Sequence, residues 1–297
     1  MPANVVAALS VDPLLPDPFD GIVVAVGDRT ISIRTASDDL VTLACPQLCD
    51  GPNRVRLDVP VGHSLAGLLD VACGAPARRH GTLLRLGHAL EIVLEGSPTA
   101  AARSDSATAP WNGCAGTQAL PLPRNAGEAD RWPEARREAF VRALSMAQQA
   151  AAGDTEGFLE HARSLVGLGP GLTPSGDDIL VGFLAAARAA PESPAARVGE
   201  SLRRELPCWV RRTGFVSGAY LRFAVEGRFD EGVAAASSCL SEGFPALPAD
   251  RDSTTPPAGR FSLLLNYGHT SGEDIVLGIL LGLGVKPERM PWEVSTC

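Results

Sequence analysis

The stretch GLGPGLTPSGDDILVG, residues 167–182, sets five glycines, two prolines and two adjacent aspartates against an apolar run. A second stretch, SGEDIVLG at 271–278, repeats its core. Ser175 aligns with Ser271, Gly176 with Gly272, Asp177 with Glu273, Asp178 with Asp274, Ile179 with Ile275 and Gly182 with Gly278. Both continue into segments that are hydrophobic nearly all round, which predicts two buried helices. The C-terminal part of the chain is therefore read as helical and organised around two look-alike helix starts.

One reading of these starts is structural. A serine at the N-cap with an acid three residues later is a capping box, so Ser175 with Asp178 and Ser271 with Asp274 would satisfy orphan helix amides. The remaining acid in each first turn suits the helix dipole. The other reading is a site. Gly167, Gly169 and Gly171 permit tight backbone geometry or close ligand approach, and Thr173, Ser175, Thr270 and Ser271 add hydroxyls. If the two helix starts converge, they enclose a polar cleft that holds a small polar ligand. Four acids there repel a bare phosphate. The residues leave open an anion bridged by Mg2+, direct binding of an amide, amine or guanidinium group, or a general base with a raised pKa.

Outward from this pair, helices are predicted over 134–151, with Phe140, Leu144, Ala147 and Ala151 on one face, and over 154–166, with Phe158, Ala162, Leu165 and Val166 on one face behind an Asp154 cap. Further helices are predicted near 177–190, 195–206, 208–226, 229–242 and 273–284. Residues 245–260 read as a proline-rich loop. In 211–227, Thr213 and Ser217 fall at i, i+4 and, with Arg211 and Arg212, supply donors for a carboxylate or phosphate. The bland alternative has the hydroxyls bonding back to their own turn. His269 is the histidine in the most suggestive setting, between Gly268 and Thr270, and Asn266 and Tyr267 lie beside it.

Residues 20–95 have a different texture. GIVVAVG and RTISIRT flank Gly27-Asp28, a hairpin turn, and LVTLAC, RVRLDVP, TLLRLG and ALEIVLEG follow, with Gly87-His88 as another turn. That spacing predicts a small barrel or sandwich. Residues 96–127 are rich in Ala, Ser, Pro and Gly and read as a linker. The fold class is α+β: a β-rich domain over 1–95, an irregular segment over 96–132, and an α-helical domain over 133–297.

The 297 residues are 45% hydrophobic and 20% charged, an ordinary globular composition. A net charge of −8, with Lys286 the only lysine, argues against a nucleic-acid binder. The N-terminal MPANVVAALSVDPLLPDPFD lacks a basic region and is broken by Pro13, Pro16 and Pro18, so it reads poorly as a signal peptide. The apolar runs near 179–190 and 275–285 are short for a membrane span. Seven scattered cysteines suggest reduced thiols in a cytoplasm, and the Cys45–Cys49 pair reads as structural, with zinc second. The motifs of P-loop NTPases, nucleophile elbows and zincins are missing, and the spacing of GLGPGL disfavours a Rossmann turn.

With GLGPGLTPSGDDILVG, TGFVSGAYLRFAVEGRF (213–229) and GHTSGEDIVLGILLG (268–282) in order, the chain resembles the AllH-type family, associated with oxamate carbamoyltransferase of allantoin breakdown. The resemblance implies a cytoplasmic subunit in nitrogen metabolism, working beside other subunits to move a carbamoyl group between oxamate and phosphate. The loop that ordinary carbamoyltransferases use for carbamoyl phosphate is absent, so shared chemistry would be convergent. On this reading Asp177, Asp178, Asp274 and His269 are catalytic. Gly169, Gly171, Thr173, Ser175, Gly176, Arg212, Thr213, Ser217, Gly268, Ser271 and Gly272 hold the substrate, and Asp177, Asp178, Glu273 and Asp274 are the ligands of any Mg2+. The alternatives are a scaffold or regulatory subunit, and a Mg2+-dependent hydrolase of a small amide or phosphate compound.

Overall fold

A computed structural model describes residues 4–88, 90–95, 116–119, 122, 128–243, 264, 270–286 and 293–296. The predicted loop 245–260 and most of the segment 96–127 lie outside the described residues. The chain divides into two compact units, Met1–Pro110 and Trp111–Cys297. With a barrel in the first and helices in the second, the fold class is α+β.

The first unit is a closed eight-stranded barrel. Its strands are β1 (Asn4–Val11), β2 (Phe19–Val26), β3 (Thr30–Thr35), β4 (Leu40–Ala44), β5 (Arg54–Leu57), β6 (Pro76–His80), β7 (Leu83–Leu86) and β8 (Leu90–Val93), in the order β1-β5-β4-β3-β2-β6-β7-β8. A short helix α1 (Leu65–Leu69) interrupts them. The β2–β3 hairpin turns at Gly27, whose amide donates to the Thr30 carbonyl at 2.9 Å. Ile31, Ile33, Val41, Leu43, Val55, Leu57, Leu84 and Ile92 fill the interior. Cys45 and Cys49 are buried free thiols, and Cys45 joins that core.

Two strands escape the sequence reading, and they decide barrel over sandwich. Residues 4–11 pair in parallel with β8 (Val5 opposite Glu91, Val6 opposite Ile92) and antiparallel with β5, closing the sheet on itself. Closure removes the edges that a sandwich leaves exposed. PARRH at 76–80 has no apolar alternation, because only Ala77 turns into the core; its strand state is imposed by β2 and β7 on either side.

The second unit holds α2 (Glu134–Ala152), α3 (Thr155–Leu165), α4 (Ser175–Ala189), α5 (Pro194–Trp209), α6 (Phe215–Val225), α7 (Glu231–Gly243) and α8 (Ser271–Gly282), with a two-stranded ribbon of β9 (Gly116–Ala119) and β10 (Glu293–Thr296). Asp154 caps α3 as expected, accepting the Gly157 amide at 3.1 Å, and Phe158, Ala162, Leu165 and Val166 are buried. On α2 the buried stripe is Arg136, Ala139, Phe140, Ala143, Met146 and Ala150, rotated from the expected face, and Ala151 is exposed. The helix predicted over 208–226 is two pieces: α5 runs on to Trp209, a 3-10 turn takes Val210–Arg212, and α6 starts after Gly214. Thr213 between them is extended, with φ −117° and ψ 173°. Among the described residues no helix is long and apolar enough to cross a membrane.

The centre of this unit is α4, packed by α8, α7, α5, α6, α2 and α3. Every residue from Ser175 to Ala187 is buried, which explains a sequence with no polar face. The tightest crossing is with α8, and it is reciprocal. A Cβ on Gly182 would lie 2.0 Å from the Ile275 carbonyl oxygen, and a Cβ on Gly278 would lie 2.1 Å from the Ile179 carbonyl oxygen. Positions aligned in the repeat thus meet each other crosswise, as a local two-fold relation requires. Since the obstacle is backbone, Gly182→Ala and Gly278→Ala each force the helices apart. Each is expected to cost about 3 kcal/mol, the upper end for overpacking, read as a lowered melting midpoint of the full chain.

Candidate functional site at the paired helix starts

The crossing brings the two acidic helix starts together. Thr173 and Ser271 share a hydrogen bond between their hydroxyls at 2.9 Å, 98 residues apart in sequence. The Ser271 and Thr173 hydroxyls favour the charged form of the Asp178 carboxyl, and the Ser175 hydroxyl does the same for Asp274. The serine of each motif thus serves the second acid of the other. This is not the expected capping box. Ser175 and Ser271 are the first helical residues, the N-cap positions are Pro174 and Thr270, and neither makes a side-chain cap bond. A proline entry removes the amide-seeking cap and leaves the serine free to point across.

Asp178 is 6% exposed and Asp274 1% exposed, and each keeps its Oδ2 buried without a hydrogen-bond partner. Orphaned carboxylate oxygens are costly in a protein interior. Burial pushes the Asp178 carboxyl well above the usual carboxylate range. Ser271 opposes this, the charges of Asp274 and Asp177 add to it, and Thr173 opposes it slightly. Burial also raises Asp274, but the Arg136 guanidinium is the main force holding it down.

Arg136 escapes a motif search, yet it is central. Its Nε donates to Asp274 Oδ1 at 2.9 Å and its Nη2 to Glu273 Oε2 at 2.7 Å, while its guanidinium stacks 3.9 Å over the Trp132 ring. The available signal is position: Arg136 precedes Phe140 by four and Ala143 by seven, so it stands on the apolar stripe of α2. A charge there demands a buried partner.

Asp177 belongs to a neighbouring but separate arrangement. Its Oδ1 accepts the Gly167 amide at 2.8 Å, and its Oδ2 accepts the hydroxyls of Thr213 at 2.5 Å and Ser217 at 2.6 Å. Burial raises its pKa despite these three donors. Thr213 and Ser217 do serve a carboxylate, but an internal one, and neither bonds back to its own turn. Asp177 fastens the glycine-rich approach and the start of α6 to α4. Gly167, at φ +78°, lies so close to the Arg212 carbonyl that a Cβ would sit 2.5 Å from its oxygen; Gly169, at φ +127°, meets the Ser175 amide in the same way at 2.8 Å.

The other expected residues divide plainly. Gly176 packs on the Leu165 carbonyl, 2.1 Å from a built Cβ. Gly171 is exposed and Gly272 is buried. Arg212 is exposed and donates to the Arg163 carbonyl at 2.8 Å. His269 and Gly268, with Asn266 and Tyr267, lie outside the described residues. The four acids expected around Mg2+ do not form one cradle. Asp177 is occupied by three donors, Glu273 and Asp274 face Arg136, and among the described residues no group of three or more His, Cys, Asp or Glu side chains stands where it could hold a metal ion.

What remains is a pair of buried acids, one beside a cation and one beside hydroxyls, with a half-buried Thr173–Ser271 pair next to the second. Such a constellation can accept and donate protons and can bind a small polar ligand. It also lowers stability. The unfolded Asp178 loses its proton near pH 3.9, whereas burial makes the folded protein hold it to higher pH, so stability falls as pH rises through the window above that value. Asp178→Asn therefore melts higher than wild type at pH 7, and the gap narrows as pH approaches about 4. Arg136→Met strands the Asp274 charge and is expected to destabilise by about 3–5 kcal/mol, measured by denaturant unfolding.

No solved structure gives a significant match to the chain. The three motifs and both acidic helix starts fall in one continuous stretch, with Arg136 outside it. That stretch, residues 165–283, matches the family model described as oxamate carbamoyltransferase subunit AllH.

Proposed function

We propose that this chain is a subunit of an oxamate carbamoyltransferase-like enzyme and that the paired starts of α4 and α8 form its substrate site. Two supports meet at the same residues. The family match spans both motifs, and the carrying observation is the pair of buried, unpartnered oxygens Asp178 Oδ2 and Asp274 Oδ2 in that segment. A protein that needed only stability would pair or cap these acids.

The reaction on this reading moves a carbamoyl group between oxamate and phosphate, and the chain works with the other subunits that the family description implies. Oxamate is a small amide carrying one carboxylate. Thr173 and Ser271 offer hydroxyls to its polar atoms, and the acids behind them manage the proton that carbamoyl transfer requires at nitrogen. Asp177, Thr213 and Ser217 hold the Gly167–Thr173 approach in place, so they position the site and do not touch the ligand.

In the test, the full chain, alone and with its partner subunits, is given carbamoyl phosphate with and without oxamate. Phosphate release that requires oxamate, and is lost in Asp178→Ala, is the expected result. Release without oxamate indicates a hydrolase. Stabilisation by a partner chain, with no response to either small molecule, indicates a scaffold.

A further inference from the structure

The helix α5 and the 3-10 turn that follows it carry a charge pattern at odds with the rest of the chain. Residues 194–215 hold five arginines (Arg197, Arg203, Arg204, Arg211 and Arg212) against two glutamates (Glu200 and Glu205), in a chain of net charge −8. Arg197 and Arg204 stand two helical turns apart on one stripe of α5, and Arg211 follows after the same interval. All three are exposed. Glu200, beside the stripe, reaches Arg203 at 3.8 Å. Among the described residues no carboxylate forms an ion pair with Arg197, Arg204 or Arg211.

The middle of the stripe is uncharged, since Pro207 and Cys208 are exposed between Arg204 and Arg211. A centre without charge and arginines at its margins is the composition of a protein–protein contact. The far end of the stripe is held in place. Arg212 Nη1 donates to the Arg163 carbonyl at 2.8 Å, the Arg212 carbonyl lies against Gly167, and Thr213 bonds to Asp177. The stripe thus ends against the glycine-rich approach to the paired helix starts.

We infer that this stripe is the surface on which a partner subunit docks, through an acidic face of that subunit. The inference rests on the reading of the chain as one subunit among several, and not on which small molecule the cleft takes. From Arg197 to Arg211 the stripe runs about 21 Å at helical rise, too far for one phosphate or carboxylate to engage all three guanidinium groups. A nucleic acid needs an extended basic surface, which one stripe on an acidic chain does not supply. A row of carboxylates on a folded partner fits, because each guanidinium can take one of them in a two-pronged hydrogen bond. Charges placed this way act chiefly on the rate and specificity of association.

The experiment follows association of the full chain with the other subunits of the carbamoyltransferase at low and at high salt. Arg197→Glu/Arg204→Glu is expected to associate roughly tenfold more slowly than wild type at low salt and to lose most of the salt dependence. Arg197→Gln/Arg204→Gln, which keeps good helix formers and adds no acid beside Glu200, falls between the two. Both keep the wild-type melting midpoint. Arg78→Glu/Arg85→Glu makes the same charge change at exposed positions of the barrel and associates like wild type. Equal slowing in the barrel variant, or none in Arg197→Glu/Arg204→Glu, overturns the inference. So does binding of a double-stranded oligonucleotide that Arg197→Glu/Arg204→Glu abolishes, which makes the stripe a nucleic-acid surface. Association that depends on the stripe, without oxamate-dependent phosphate release, leaves the docking surface standing and removes the transferase reading. No association of wild type at either salt removes both.

Discussion

The helical unit depends on the place where α4 and α8 touch backbone to backbone. Gly182 lies on the Ile275 carbonyl and Gly278 on the Ile179 carbonyl, each with no room for a side chain. This crossing lies seven residues, about two turns, inside each helix. At that depth it fixes the separation of the helix starts, and with it the meeting of Thr173 with Ser271 and of each serine with the opposite acid. Polar groups that far apart in sequence hold such a geometry only if the apolar crossing beneath them is rigid. The interior packing of the two helices therefore sets the site.

The same crossing explains why α4 carries acids at its buried mouth. A helix start inside a core has unsatisfied amides and a favourable dipole for negative charge, so carboxylates are tolerated there better than elsewhere in an interior. The protein uses this tolerance in three ways. Asp177 collects three donors and acts as a structural fastener. Asp274 is matched by Arg136. Asp178 has, among the described residues, the Ser271 and Thr173 hydroxyls and two carboxylates acting on it and no cation. A graded set of environments for three neighbouring carboxylates, from fully satisfied to nearly isolated, differs from what repetition of a stability device would produce.

Much of this was legible in the residues. The reciprocity of SGDDILVG and SGEDIVLG, with glycines at matching positions, predicts that the two segments face each other, and the all-round hydrophobicity of 179–187 predicts a central helix. The capping box misleads because Ser-x-x-Asp has the right spacing, whereas the cap position is set by Pro174 and Thr270 one residue earlier. Thr213 and Ser217 look like a ligand cradle because hydroxyls at that spacing do serve a carboxylate; sequence spacing does not say that the carboxylate is Asp177. Arg136 is visible only once the buried stripe of α2 is known in its true rotation. In the barrel, the alternating segments of β2, β3, β7 and β8 announce themselves, while β6 is a strand only because its neighbours make it one.

Arg136 also bears on how a two-fold arrangement becomes useful. Two equivalent buried acids held near each other would titrate as one coupled pair. A single guanidinium contributed by α2, an element that lies outside the repeat, removes the degeneracy. Its stacking on Trp132 and its second bond to Glu273 fix it on the Asp274 side. The helix pair supplies two carboxyl groups, and the asymmetric third helix puts a cation on one of them, Asp274. That division of labour follows from packing and electrostatics alone, whatever the small molecule is that reaches the Thr173–Ser271 rim.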